Sequence, residues 1–156
     1  MTPVSPLQIL FAQGLIQLSS ALVSFIGVTL VYHLLFDYEL KGSWGLFLLT
    51  YTFVIIAMYS IGIFIGSLVP DQKSANVWSS VAYFTMLLFS GATIPYEAMP
   101  RFFQWVMDIL PLSHGIHLLK QASTGEPLTD GLFHIVILAL CIVIGLCGSI
   151  KFFKWK

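Results

Sequence analysis

The sequence predicts an all-α integral membrane protein: four transmembrane helices, with an external two-helix amphipathic hairpin between the third and the fourth. Three observations carry this reading. Of 156 residues, 58% are hydrophobic and 9% charged, with a mean hydropathy of +0.91; a soluble domain carries about 25% charge. The charges are bunched, which leaves four uncharged runs at residues 7–36, 44–69, 77–94 and 131–150. About 20 apolar residues cross a hydrocarbon core, and one charge at a helix centre costs about 2.5–3.5 kcal/mol. Finally, residues 95–125 are too polar to cross a bilayer and too apolar for an ordinary loop. Residues 1–156 are read as one transmembrane domain.

The first run ends at the charged DYELK segment and Gly42. Within it Gln13, Gln17, Ser20, Ser24 and Gly27 recur at i, i+4, i+7, i+11 and i+14, so they share one narrow helix face. Amides facing lipid are costly. This face is either a wall of a substrate path or a packing seam, and the two overlap if the seam lines the path. The second run carries Thr52, Tyr59, Gly62 and Gly66 along one side. Gly62 and Gly66 form a small-xxx-small pair, which lets two helix backbones approach closely. A tight PDQK connection follows, with Asp71 suited to cap the next helix. The third run has a short polar stripe at Asn76, Ser79 and Tyr83 and ends in Ser90-Gly91-Ala92.

Pro95, Pro100 and Pro111 divide the hairpin. Arg101, Gln104 and Asp108 share one face of its first helix, with Phe102, Val106 and Ile109 opposite. Pro100 and Pro111 suit first turns, where a missing N–H goes unnoticed. Gly125 suits a helix stop. His114 and His117 stand three apart on the second helix. They could ligate zinc only if carboxylates such as Glu97 or Asp108 joined them. No denser signature is present, so they read as a polar face and no metal is expected. The fourth run closes on a basic, aromatic KFFKWK tail, suited to a headgroup boundary.

Here the residues carry a resemblance. The ordered set "SGATIPYEAMP", an amphipathic helix, "ILPLSHGIHLLKQ" and a last span with a basic tail resembles the type-2 ABC-transporter permeases. These are membrane subunits of ATP-driven exporters. The resemblance implies a path formed with a second permease copy or paralogue and driven by a separate cytoplasmic ATP-hydrolysing subunit that holds the ATP. It implies that the hairpin, with Glu97, Arg101, Asp108, His114 and His117, is an external gate. It also implies that residues 1–7 match the segment just after the family's coupling helix, so that the chain is the C-terminal portion of a six-span permease.

Sidedness follows from the basic residues. Four spans put Lys73, Lys151, Lys154 and Lys156 on one side, three of them against the last span, and Lys41, Arg101 and Lys120 on the other. Both termini are then cytoplasmic, and the protein belongs in the plasma or inner membrane. No basic, small-residue leader pattern opens the chain. The formal charge is zero and no Lys/Arg run is interleaved with aromatics, so nucleic-acid binding is set aside. Cys141 and Cys147 lie six apart in an apolar run and read as inert thiols. No P-loop or nucleophile elbow is present, so no catalytic residue and no cofactor on this chain are expected. Two other classes stay open: a small intramembrane enzyme acting on lipid through the hairpin histidines and acids, and a non-catalytic accessory or immunity protein. Drugs, peptides, lipids and glycan carriers all fit so sparsely polar a path.

Overall fold

The computed structural model describes residues 6–36, 40–69 and 71–152. The opening residues, most of the DYELK segment, Pro70, and the tail lysines Lys154 and Lys156 lie outside the described residues. Among the described residues all regular structure is helical. The chain forms two compact units, Met1–Lys41 and Gly42–Lys156.

The first unit contains the helix α1 (Pro6–Phe36). Its 31 residues span about 46 Å, longer than a hydrocarbon core of about 30 Å. Ser19 and Ser24 donate their hydroxyls back to the Ile16 and Ser20 carbonyls, both at 2.9 Å. This satisfies those hydroxyls inside an apolar helix.

The second unit holds α2 (Trp44–Leu68), α3 (Gln72–Phe89), α4 (Arg101–Ile109), α5 (Pro111–Thr124) and α6 (Leu132–Phe152). Among the described residues, three helical segments are long and apolar enough to cross a membrane: Phe11–Phe36, Trp44–Leu68 and Thr129–Lys151. The third predicted run departs from expectation. Its helix is Gln72–Phe89, shifted five residues toward the N-terminus from residues 77–94. It starts at the cap expected at Asp71, ahead of the uncharged run: Oδ2 accepts from the Ser74 N–H at 3.0 Å and Oδ1 from the Ser74 hydroxyl at 2.7 Å. These hydrogen bonds hold the Asp71 carboxyl below its usual range. The helix ends early because Gly91 has φ +82°, where an L-residue cannot continue a helix. The polar opening turns Gln72–Asn76 leave α3 outside the set of long apolar helices.

The core runs along α2 and α6. Val54, Ala57, Leu118 and Leu138 are fully packed, with Phe53, Ile135 and Ile142 around them. Thr50, Val54, Ala57 and Ser60 are the buried residues of α2, spaced to share one face. Small residues on α6 let it close on that face. A Cβ at Gly145 would stand 2.7 Å from the Ser60 carbonyl oxygen, and Ser60 donates to the Ala57 carbonyl at 2.7 Å. The seam is therefore built on Gly145 and Gly148 rather than on Gly62 and Gly66, which have nothing within 4 Å of an added Cβ.

Candidate functional site

The end of α3 begins the site. A helix terminus leaves carbonyls without intrahelical partners, and here side chains take them up. Ser90 and Thr93 donate to the Leu87 carbonyl at 3.2 and 3.0 Å. Ser113, at the start of α5, donates to the Phe89 carbonyl at 3.2 Å, which ties α5 to the end of α3. Met107 of α4, 2% exposed, packs against Gly91: a Cβ there would meet the Met107 methyl at 3.2 Å.

A short 3-10 turn, Tyr96–Ala98, leads into α4. Gln104 fastens it by donating Nε2 to the Tyr96 and Met99 carbonyls at 3.1 and 3.0 Å. The Tyr96 hydroxyl donates to Asp108 at 3.4 Å. Desolvation and the Asp108 charge raise the Tyr96 phenol above its ordinary value. Glu97, Arg101 and Asp108 are exposed. So are Phe102, Trp105 and Ile109; α4 makes its intrachain contact through Met107 and Phe103, which stacks on Phe89 at 5.3 Å.

α5 is placed differently. Pro111 opens it, and Gly125 closes it in the left-handed conformation, φ 81°, its N–H donating to the Gln121 carbonyl. Ser113, His114, Gly115, Leu118 and Ala122 are buried. A Cβ on Gly115 would stand 2.7 Å from the Val54 Cγ1 of α2, so glycine sets that approach.

On the α6 side lies a contact that the sequence does not announce. His114 Nδ1 and His134 Nδ1 face each other at 2.6 Å, and the His117 ring lies flat on His134, centroids 5.2 Å apart and 5° from parallel. Phe133 closes the His114 ring edge-on at 5.9 Å. His114 is 3% exposed, and its Nε2 is buried without a hydrogen-bond partner. Burial pushes the His114 imidazole below its ordinary pKa; the nearby Asp108 carbonyl and carboxylate act the other way, and His117 adds to the lowering. The structure thus takes His114 off the polar surface expected for it and leaves His117 exposed beside it. His134 escaped sequence reasoning. Its one signal is a lone histidine early in an otherwise apolar run. Among the described residues no group of three or more His, Cys, Asp or Glu side chains is arranged to hold a metal ion.

The remaining predicted positions lie elsewhere. Gln13, Gln17, Ser20 and Ser24 are exposed on α1. Gly62 and Gly66 are exposed on α2. Cys141 and Cys147 are free thiols. An apolar cleft of about 550 Å³ lies between α2 and α3, lined by Ile65, Leu68, Trp78, Val81, Met86 and Leu110 among others.

The sequence model of the ABC-2 type transporter family matches residues 1–122, from α1 through most of α5. The chain belongs to this family. Proteins similar to this chain include nodulation protein J of Neorhizobium galegae, 30% identical over 68% of this chain and 42% of that protein. Nodulation protein J of Rhizobium leguminosarum bv. viciae is 30% identical over 57% of this chain and 34% of its own length. The inner membrane transport permease YhhJ of Escherichia coli (strain K12) is 28% identical over 76% of this chain and 32% of that protein. The chain thus spans between 32% and 42% of the length of these three relatives. No solved structure matches it significantly. Family and apolar helices together make it a multi-pass membrane protein.

Proposed function

We propose that this chain is the membrane-spanning part of an ATP-binding-cassette exporter. It forms part of the substrate path and its external gate, while a separate cytoplasmic ATPase binds ATP and supplies the energy. The observation that carries this is the ABC-2 type family match over residues 1–122. In this reading the two units form one transmembrane domain, and α3 is the remaining span. Its 18 residues reach about 27 Å, close to the core thickness. The polar stripe Gln13, Gln17, Ser20 and Ser24 lines the path or a seam beside it. Gly62 and Gly66, open within this chain, meet a helix of a second permease copy. Glu97, Arg101, Asp108, His114 and His117 belong to the external gate, and both termini face the cytoplasm. The similarity to YhhJ, an inner membrane transport permease, supports an inner-membrane location.

The test is purification of the tagged chain from its native membrane in mild detergent. An ATP-binding-cassette ATPase should accompany it, and the complex in proteoliposomes should hydrolyse ATP in a vanadate-sensitive way. A chain that purifies without any ATPase overturns the reading. Sidedness is checked separately, with Cys141 and Cys147 replaced. Cysteines at Glu97 and Glu126 should react with an impermeant thiol reagent in intact cells, and one at Lys154 should not. The reverse pattern inverts the topology.

A further inference from the structure

Neither the family nor the exporter reading assigns a role to the contact between α5 and the start of α6. We propose that His114, His134 and His117 form a proton-operated latch: it holds α5 against α6 while the facing pair carries at most one added proton, and releases α5 when a second is added.

The geometry sets this rule. Two Nδ1 atoms facing each other at 2.6 Å are hydrogen-bonded only if one carries a hydrogen and the other a lone pair. With both rings neutral, one tautomer donates and the other accepts. One added proton leaves the pattern intact, because a fully protonated imidazole still donates through Nδ1. A second proton puts hydrogen on both facing atoms, and the bond becomes a like-charge contact. His117, stacked on His134 at 5.2 Å, places a third titratable ring against the pair. His114 Nε2 is buried without a hydrogen-bond partner, and the Asp108 carbonyl near the ring offsets only part of the cost of charging it, since burial outweighs it.

The surroundings offer little compensation. From α4 comes Asp108, exposed and shared with the Tyr96 hydroxyl. α2 meets α5 through Val54, against Gly115, and its ionisable side chains are the tyrosines Tyr51 and Tyr59. The last turns of α3 carry only Tyr83. The turn before α6 carries Asp130, which is exposed, and α5 itself carries Lys120 beyond His117, also exposed. The sign follows from burial. His114 has a folded pKa below its ordinary value, so its contribution is present above about pH 6.5 and is lost as pH falls through the window beneath it. The latch therefore holds at neutral pH and opens in mild acid.

This inference does not rest on the exporter reading, and its test needs no transport assay. The full chain is placed in phosphatidylcholine nanodiscs, with Cys141 and Cys147 replaced by alanine and spin labels on cysteines at Lys120 (α5) and Val136 (α6). The inter-label distance should be narrow at pH 8 and gain a longer component below about pH 6.5, reversibly. His114→Gln and His134→Gln should each abolish that pH response. A distance unchanged from pH 8 to pH 4.5, or a response that survives both substitutions, overturns the latch. Should the glutamine variants fail to fold, 15N-histidine NMR of the unsubstituted chain decides. One protonated and one bare Nδ1 in the pair at pH 8 supports the proposal; three rings titrating independently at the ordinary value refute it. The distance is also read at constant pH with EDTA and with excess zinc. A change driven by either would make the cluster a metal site and overturn the proposal.

Discussion

α4 and α5 are adjacent short helices, each following or opening on a proline, each with one polar and one apolar side. They end up in opposite circumstances. α4 buries only Met107 and leaves Phe102, Trp105 and Ile109 outward. α5 buries five residues, four of them small or polar and only Leu118 large and apolar: Ser113, His114, Gly115, Leu118 and Ala122. The difference lies in what sits on the contact face. Gly115 and Ala122 let the α5 backbone come close to its neighbours, and the Gly42 N–H, just before α2, donates to the Ser123 carbonyl at 3.1 Å. Helices in membranes associate through such small residues and through hydrogen bonds, because lipid offers no hydrophobic drive. α4 carries aromatic rings where α5 carries glycine and alanine, and rings of that kind belong at a membrane–water boundary. Amphipathicity alone therefore does not tell which face of a membrane-embedded helix is buried.

The comparison breaks most visibly at Leu118, 1% exposed in the α2–α6 core. Leu118→Ala should cost about 2–5 kcal/mol, the range for a buried leucine whose cavity does not collapse, read as a shift in the detergent-unfolding midpoint. If the loss is as small as for an exposed residue, α5 is not wedged where the structure puts it. Gly115→Val comes next. Its new side chain meets Val54, and overpacking of this kind costs about 1–3 kcal/mol. Val54→Ala in the same chain should return part of that loss, because the collision is with the Val54 methyls. No rescue would mean that Gly115 matters for its backbone and not for its neighbour.

The long helices were legible because charge-free length is a property of the sequence itself. α2 and α6 begin and end within two residues of the expected runs. The helix stops and starts at Asp71, Pro111 and Gly125 were also legible, since each acts through local chemistry. What was not legible depends on partners far along the chain. Gly62 and Gly66 carry a packing motif that looks stronger than Gly145 and Gly148, yet the intrachain seam uses the second pair. His114 read as a surface residue because its partner, His134, is twenty positions away. The third uncharged run, residues 77–94, and the helix Gln72–Phe89 do not coincide. The run's apolar stretch continues past Phe89, but Ser90-Gly91 ends the helix, and Asp71 starts it among polar residues.

The smallest expected effects lie within α4 itself, at two neighbouring rings. Phe103 and Phe102 meet edge-to-face at 5.6 Å, but only Phe103 reaches another helix, stacking on Phe89 of α3 at 5.3 Å and 13°. Phe103→Ala should cost about 0.5–1.5 kcal/mol, the worth of an aromatic pair beyond its area. Phe102 is 70% exposed, so Phe102→Ala should stay within about 0.5 kcal/mol. Its removal should instead change how α4 meets the bilayer surface. Tryptophan fluorescence from Trp105, with Trp44, Trp78 and Trp155 replaced by phenylalanine, reports that by its quenching with lipid-borne probes. A drop in quenching with unchanged folding stability is the expected pair of results. If Phe102→Ala lowers stability as much as Phe103→Ala, α4 packs through both rings, and its contrast with α5 is one of degree rather than of kind.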